Sequence, residues 1–216
     1  FYVKFWLLEI LVSQALVVAV LLAVSYILAI LLTLHNTDTS DRYKYVKVGY
    51  RVGMVGLLFV VNKTADSGKG LIAIFAFAGI MGASIGPMLN HHMAMPNGPQ
   101  LVLQALGGTA IVFFGLSAYA LTTRKDFSYM GGFLLIGLLV AVVAMIANIF
   151  LNIPALSLTI SAAIVMIMSG LILFDTSRII NGGETNYIRA TISLYLNIYN
   201  LFIHMLHLLS AVSGRD

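Results

Sequence analysis

Charged residues are scarce in this sequence, and cysteine is absent from it. Asp, Glu, Lys and Arg together make up 9% of the 216 residues, whereas hydrophobic residues make up 60%. Soluble domains carry about 25% charged residues, so the composition excludes an ordinary soluble domain and predicts a polytopic membrane protein. Without cysteine there is no disulfide and no thiolate chemistry. The net charge of +4 comes from short loops and indicates topology rather than nucleic-acid binding.

The motifs of common enzyme classes are also absent. The sequence contains no GxSxG, no HExxH, no Walker A motif and no GxGxxG between a strand and a helix. An intramembrane protease would need a Ser/His or a paired-Asp arrangement, and only one aspartate, Asp175, lies deep in an apolar segment. We therefore expect a protein that is not an enzyme and that uses no cofactor and no metal centre.

Seven apolar segments predict an all-α integral membrane protein, because each is about long enough to cross a hydrocarbon core of roughly 30 Å. We expect one seven-transmembrane-helix domain spanning residues 1–216, since the chain leaves no room for a separate soluble domain. Because position 1 is Phe rather than Met, the natural start is expected upstream. The segments cover residues 5–34, 48–61, 71–89, 101–121, 130–151, 154–180 and 188–212.

Basic residues in alternate loops predict the orientation in the membrane. Loops 90–100 and 152–153 contain no Lys or Arg, whereas the loops before, between and after them contain six. By the positive-inside rule the basic loops are cytoplasmic, with the N-terminus inside and the C-terminus outside. The basic residues at 42, 44 and 47 conflict with this assignment. The six that support it are Lys63, Lys69, Arg124, Lys125, Arg178 and Arg189.

The last segment carries a polar stripe on an otherwise apolar helix. Its members recur at intervals of 4, 3, 4 and 3, which places them on one helical face. Polar residues inside a membrane protein face the bundle or a water-filled cavity, so we expect the last helix to be central and its stripe to be the functional seam. The stripe consists of Ser193, Asn197, Asn200, His204 and His207.

Asp175 is the strongest single signal, because an ionisable group in an apolar segment is costly to bury. It lies near the end of the sixth segment, at a depth similar to that of Asn197 in an antiparallel hairpin. The alternative is an interfacial carboxylate that pairs with Arg178, three residues further on. His204 and His207 have the spacing of metal ligands, but two ligands do not make a site, and histidines hydrogen-bonded within the bundle are the simpler interpretation.

Several stretches resemble the Bax inhibitor-1 family, also called the transmembrane BAX inhibitor motif family. The longest is FDTSRIINGGETNYIRATISLYLNIYNLF at residues 174–202. Together the stretches span roughly residues 53–216, and the first fifty residues do not match the family pattern. The shorter ones are AIFAFAGIMG (73–82), GPMLN (86–90), ALGGTAIVFF (105–114) and SAYALTTRKD (117–126).

This resemblance implies a seven-helix bundle with a central last helix and suggests two activities. The branch that the sequence is most similar to contains multi-pass proteins of the bacterial inner membrane. They bind the membrane-anchored AAA protease FtsH and its prohibitin-like partners and restrain the protease. That location would make the outer C-terminus periplasmic.

Other members of the family are pH-sensitive calcium leaks, in which two aspartates between the last two helices share a proton. Those positions fall here on Asp175 and Asn197. Since an Asp–Asn pair lacks the like-charge repulsion of two carboxylates, it should titrate less usefully and attract Ca²⁺ less well. The candidate pH and ion seam is Asp175, Asn197, Asn200 and His204, and a basic latch partner for Asp175 would be Lys63 or Arg51.

Overall fold

The computed structural model describes residues 56–214, and all regular structure in that part of the chain is helical. Residues 56–64 are helical, and five longer helices follow them. Each of the five is long and apolar enough to cross a membrane. The all-helical fold of a membrane protein is therefore supported, whereas seven spans and a central last helix stay predictions. The five helices are α1 (Lys69–Met93), α2 (Gly98–Thr123), α3 (Gly131–Leu151), α4 (Pro154–Ile180) and α5 (Tyr187–Ser213).

The observed helix ends differ from the expected ones by up to four residues. Residues 5–34, and the second expected segment as far as residue 55, lie outside the described residues. The largest extension is at the end of α1, where we expected a loop from Asn90 onwards. His91 and His92 instead lie in the last helical turn. The helix ends shortly before Pro96, because a proline disfavours helical conformation in the residue before it.

Within α1 the chain divides into two compact units, Phe1–Met81 and Gly82–Asp216. The described part of the first unit is residues 56–81. Its helical stretch passes into α1 through a tight turn, in which Ser67 N–H donates to Thr64 O at 2.9 Å and Gly70 N–H donates to Ser67 O at 2.9 Å. Consecutive turns of this kind satisfy the backbone groups that a helix end leaves unpaired.

In the second unit, α4 packs against α2, α3 and α5, and α5 packs against α2 and α4. A Cβ on Gly108 of α2 would lie 2.5 Å from the sulfur of Met205, so glycine permits the close approach of α2 and α5. One apolar cluster fills the junction of α3, α4 and α5, and its fully buried members are Ala141, Ile160, Ile164, Met168, Ile172 and Leu201. A second cluster joins α2 to α5 and consists of Leu101, Ala105, Phe202 and Leu206.

Large apolar side chains cover the faces of α2 and α3 that turn away from these clusters. They are exposed in the isolated chain, as expected for surfaces that contact lipid. Examples are Leu103, Ile111, Phe114, Phe133, Ile136, Val140 and Val143.

Short connections hold α3, α4 and α5 antiparallel. Asn152 ends α3 with a left-handed conformation at φ 49°, and Pro154 begins α4 in the first-turn position that suits proline. Asn186 caps α5, since its side-chain oxygen accepts from the amides of Ile188 and Arg189. The α4–α5 hairpin brings together the two helices that carry the predicted seam.

Candidate functional site

The α4–α5 contact contains a direct hydrogen bond between the two residues aligned with the aspartate pair. Asn197 Nδ2 donates to Asp175 Oδ2 at 2.8 Å. Asn197 is 7% exposed, and Asp175 is partly buried. An amide donor to an ionised acceptor forms a shorter and stronger bond than a neutral pair does. The arrangement holds one carboxylate and one amide, so it offers a single proton-binding group and no carboxylate pair for a divalent cation.

Arg178 does not bind Asp175. Its guanidinium donates to the Gly183 carbonyl at 3.1 Å and lies over the ring of Phe174, 5.4 Å from the ring centre. The interfacial ion pair that we considered as the alternative role of Asp175 is therefore not formed. The cation stabilises the α4–α5 loop instead.

Ser161 of α4 lies between the two histidines of the polar stripe, which the sequence did not predict. Its hydroxyl is 2.8 Å from His207 Nδ1 and 3.2 Å from His204 Nδ1, and the serine is 3% exposed. A hydroxyl has one proton, so it can donate to one imidazole while it accepts from the Nδ1–H of the other. Through these hydrogen bonds to Ser161, both histidines connect α5 to α4.

A metal site at His204 and His207 would need at least a third ligand from a His, Cys, Asp or Glu side chain. Among residues 56–214, no group of three or more His, Cys, Asp or Glu side chains could hold a metal ion. His204 and His207 form hydrogen-bonded contacts with Ser161 between α5 and α4.

Asn200, the remaining residue of the predicted seam, does not reach α4 through its amide. Its Nδ2 donates to the Leu196 carbonyl of its own helix at 2.8 Å. Two sets of polar contacts thus connect α4 to α5: the Asp175–Asn197 hydrogen bond, and the contacts of Ser161 with His204 and His207. They are separated by about 10–15 Å along α5 at 1.5 Å per residue. Between them lie Leu201 and the apolar cluster around it.

A second serine of α4, Ser177, bonds the connection between α2 and α3, on the side of the membrane that the charge pattern predicts to be cytoplasmic. Its hydroxyl donates to the Lys125 carbonyl at 2.9 Å and accepts from the Phe127 amide at 3.0 Å. Ser177 is 1% exposed, so the α2–α3 connection is tied to α4 through a buried contact. Sequence reasoning missed this residue, since a serine in an apolar helix has no pattern that reveals its partner.

Asp126 in the same connection stays ionised at neutral pH. Hydrogen bonds from the Ser128 side chain and then from its backbone hold the pKa of Asp126 below its usual value. The Ser128 amide donates to Asp126 Oδ1 at 2.8 Å. This carboxylate is exposed and lies outside the helices, unlike the partly buried Asp175 of α4.

No ion pair between Asp175 and a predicted latch partner is observed among residues 56–214. Lys63 is exposed at the end of the helical stretch 56–64, in the first compact unit. Arg51 lies outside the described residues. A basic partner for Asp175 therefore stays a prediction.

These features define a class: an α-helical membrane protein whose last two described helices form a hairpin fastened by polar contacts. The model of a family described as inhibitor of apoptosis-promoting Bax1 matches residues 7–214. The chain therefore belongs to the Bax inhibitor-1 family, as the motifs within residues 53–216 predicted. The match also includes most of the first fifty residues, so the expectation that they depart from the family pattern was wrong.

Curated relatives extend this assignment. The chain is 54% identical over 165 residues to "Modulator of FtsH protease YccA" of Escherichia coli strain K12, covering 76% of this chain and 74% of the relative. The same figures apply to "Inner membrane protein YccA" of Escherichia coli O6:H1. An uncharacterised membrane protein of Vibrio cholerae is 50% identical over 167 residues, covering 77% of this chain and 75% of the relative. These names point to a membrane modulator and not to an enzyme class.

Proposed function

We propose that this protein is a bacterial inner-membrane modulator that binds the membrane-anchored AAA protease FtsH and restrains it. The observation that carries the proposal is the 54% identity, over 76% of the chain, to a relative named as a modulator of that protease. We extend the proposal to the prohibitin-like partners of FtsH. In this assignment the N-terminus and the loops around Arg124, Lys125 and Arg178 are cytoplasmic, and the C-terminus is periplasmic.

The packing of α4 and α5 suits a protein that occupies such a protease without being readily degraded. A membrane-anchored protease must pull helices out of the bilayer before it can cleave them, so each contact between helices slows extraction. Here the hairpin is fastened by Asp175–Asn197, by Ser161 with two histidines, and by the apolar cluster between them. Among residues 56–214, no buried side-chain nitrogen or oxygen lacks a hydrogen-bond partner.

Affinity purification from mildly solubilised inner membranes, followed by mass spectrometry, tests the proposal. We expect FtsH and its prohibitin-like partners well above their level with an unrelated seven-helix protein prepared in the same way. Degradation of a membrane substrate by FtsH in proteoliposomes should also slow when this protein is added. Equal recovery with the control protein, together with unchanged degradation, would refute the modulator assignment.

The second candidate is a pH-sensitive calcium or cation leak through the seam of Asp175, Asn197, Asn200 and His204. It is favoured by one observation, the Asn197–Asp175 hydrogen bond at the family's aspartate-pair position. The leak predicts a pH-dependent Ca²⁺ flux in liposomes that Asp175→Asn abolishes and that Asp126→Asn, the same change at an exposed loop carboxylate, leaves intact. The modulator predicts that neither change alters recovery of FtsH, so the two candidates are separated by one pair of variants.

A further inference from the structure

The end of α1 and the turn after it contain five nitrogen and sulfur donors within eight residues. Three of the donors, at positions 88, 91 and 92, share one helical face, and the residue at 95 continues their spacing. The backbone keeps turning beyond the helix end, because Met95 N–H donates to His92 O at 3.0 Å. The donors are Met88, His91, His92, Met93 and Met95.

His92 is oriented as histidine ligands of metals are. Its Nδ1 is 2.8 Å from the Met88 carbonyl, which can only accept, so Nδ1 carries the proton and Nε2 carries the lone pair. A ligating histidine almost always donates its other ring N–H to a carbonyl or carboxylate in this way. His92 is 8% exposed. Among residues 56–214, no buried side-chain nitrogen is unpaired, so the unpaired Nε2 reaches solvent.

The imidazole of His91 lies next to that of His92. The rings of His91 and His92 have centres 5.6 Å apart. With metal–nitrogen bonds of roughly 2.0–2.1 Å, two imidazoles on one ion have ring centres roughly 5–6 Å apart. Met88 and Met95 both pack against the apolar cluster that joins α2 to α5. Met93 is 50% exposed beside it.

The charge of this region selects the kind of ion. No Asp, Glu, Lys or Arg occurs between Lys69 and Arg124, so a divalent cation there would lack the carboxylates that hard ions need. Thioethers are soft ligands that select Cu(I), and neutral imidazoles also suit copper. We propose that Met88, His91, His92 and Met95, with Met93 at the rim, form a binding site for Cu(I) at the end of α1.

Competition for Cu(I) between the purified protein and a chromophoric Cu(I) chelator tests the site. We expect the wild-type protein to withdraw about one Cu(I) per chain from the chelator. The pair His91→Gln with His92→Gln, and separately the pair Met88→Leu with Met95→Leu, should each weaken binding by at least roughly 10- to 100-fold, the cost of losing even an outer-shell partner of a metal ligand. Met→Leu keeps the volume of the packed side chain, so the fold is retained.

The matched control is the pair His204→Gln with His207→Gln, which removes two histidines that bond Ser161 instead. This control should bind Cu(I) as the wild type does. Equal loss in the control, unchanged affinity in either test pair, or no withdrawal by the wild type would overturn the proposal. If the double histidine variant fails to fold, His91→Gln alone decides, because His91 is exposed and its replacement disturbs no packing.

Discussion

The hydrogen bond between Asp175 and Asn197 should couple α4 to α5 energetically, and a double-mutant cycle measures this coupling. Asp175→Leu leaves the Asn197 amide, 7% exposed, without its acceptor, which costs about 1–3 kcal/mol. Asn197→Leu leaves the carboxylate without its donor, and a hydrogen bond to a charged group contributes about 1.5–3 kcal/mol. The double variant has neither orphaned group. We therefore expect it to lose less stability than the sum of the single variants, by about 1.5–3 kcal/mol.

Unfolding in mixed micelles of increasing SDS content, followed by far-UV circular dichroism, gives the four free energies of the cycle. The control cycle combines Asp175→Leu with Asn200→Leu, because the Asn200 amide donates to its own helix. That cycle should be additive within roughly 0.5 kcal/mol. If the Asn197 cycle is equally additive, the 2.8 Å contact does not fasten the hairpin and the reasoning from the seam fails.

Three further substitutions test the packing around the seam. Ser177→Ala should cost about 1–3 kcal/mol and speed hydrogen exchange at the Phe127 amide, whereas Ser169→Ala, which loses only a bond within α4, should leave that amide protected. Leu201→Ala should cost about 2–5 kcal/mol in the same unfolding assay, because the side chain is 0% exposed in the apolar cluster; a loss below this range would show that the cavity collapses. Ser161→Ala should cost about 1–3 kcal/mol and change the tautomer populations of the two flanking histidines in ¹⁵N NMR spectra; unchanged spectra would contradict the shared hydrogen bond.

The sequence by itself determined the class of protein and the main course of the chain. Long apolar runs bounded by loops can only be helices in a bilayer, since every backbone group must be paired within the segment. For this reason the ends of α3, α4 and α5 lie within about one residue of the expected ones. The 3, 4, 3 spacing of Asn197, Asn200, His204 and His207 likewise predicted that these residues share one face.

Apart from the Asp175–Asn197 pair, only the tertiary structure decided which partner each polar side chain meets. Ser161 and Ser177 both lie on α4 and no sequence pattern reveals their partners, yet one bonds two histidines and the other holds a loop. Pairing with Arg178 was the alternative interpretation of Asp175, and Arg178 reaches Gly183 instead. Such contacts depend on the rotation and crossing of neighbouring helices, which are set by packing of whole surfaces. The periodicity of a single helix carries no information about the helix opposite it.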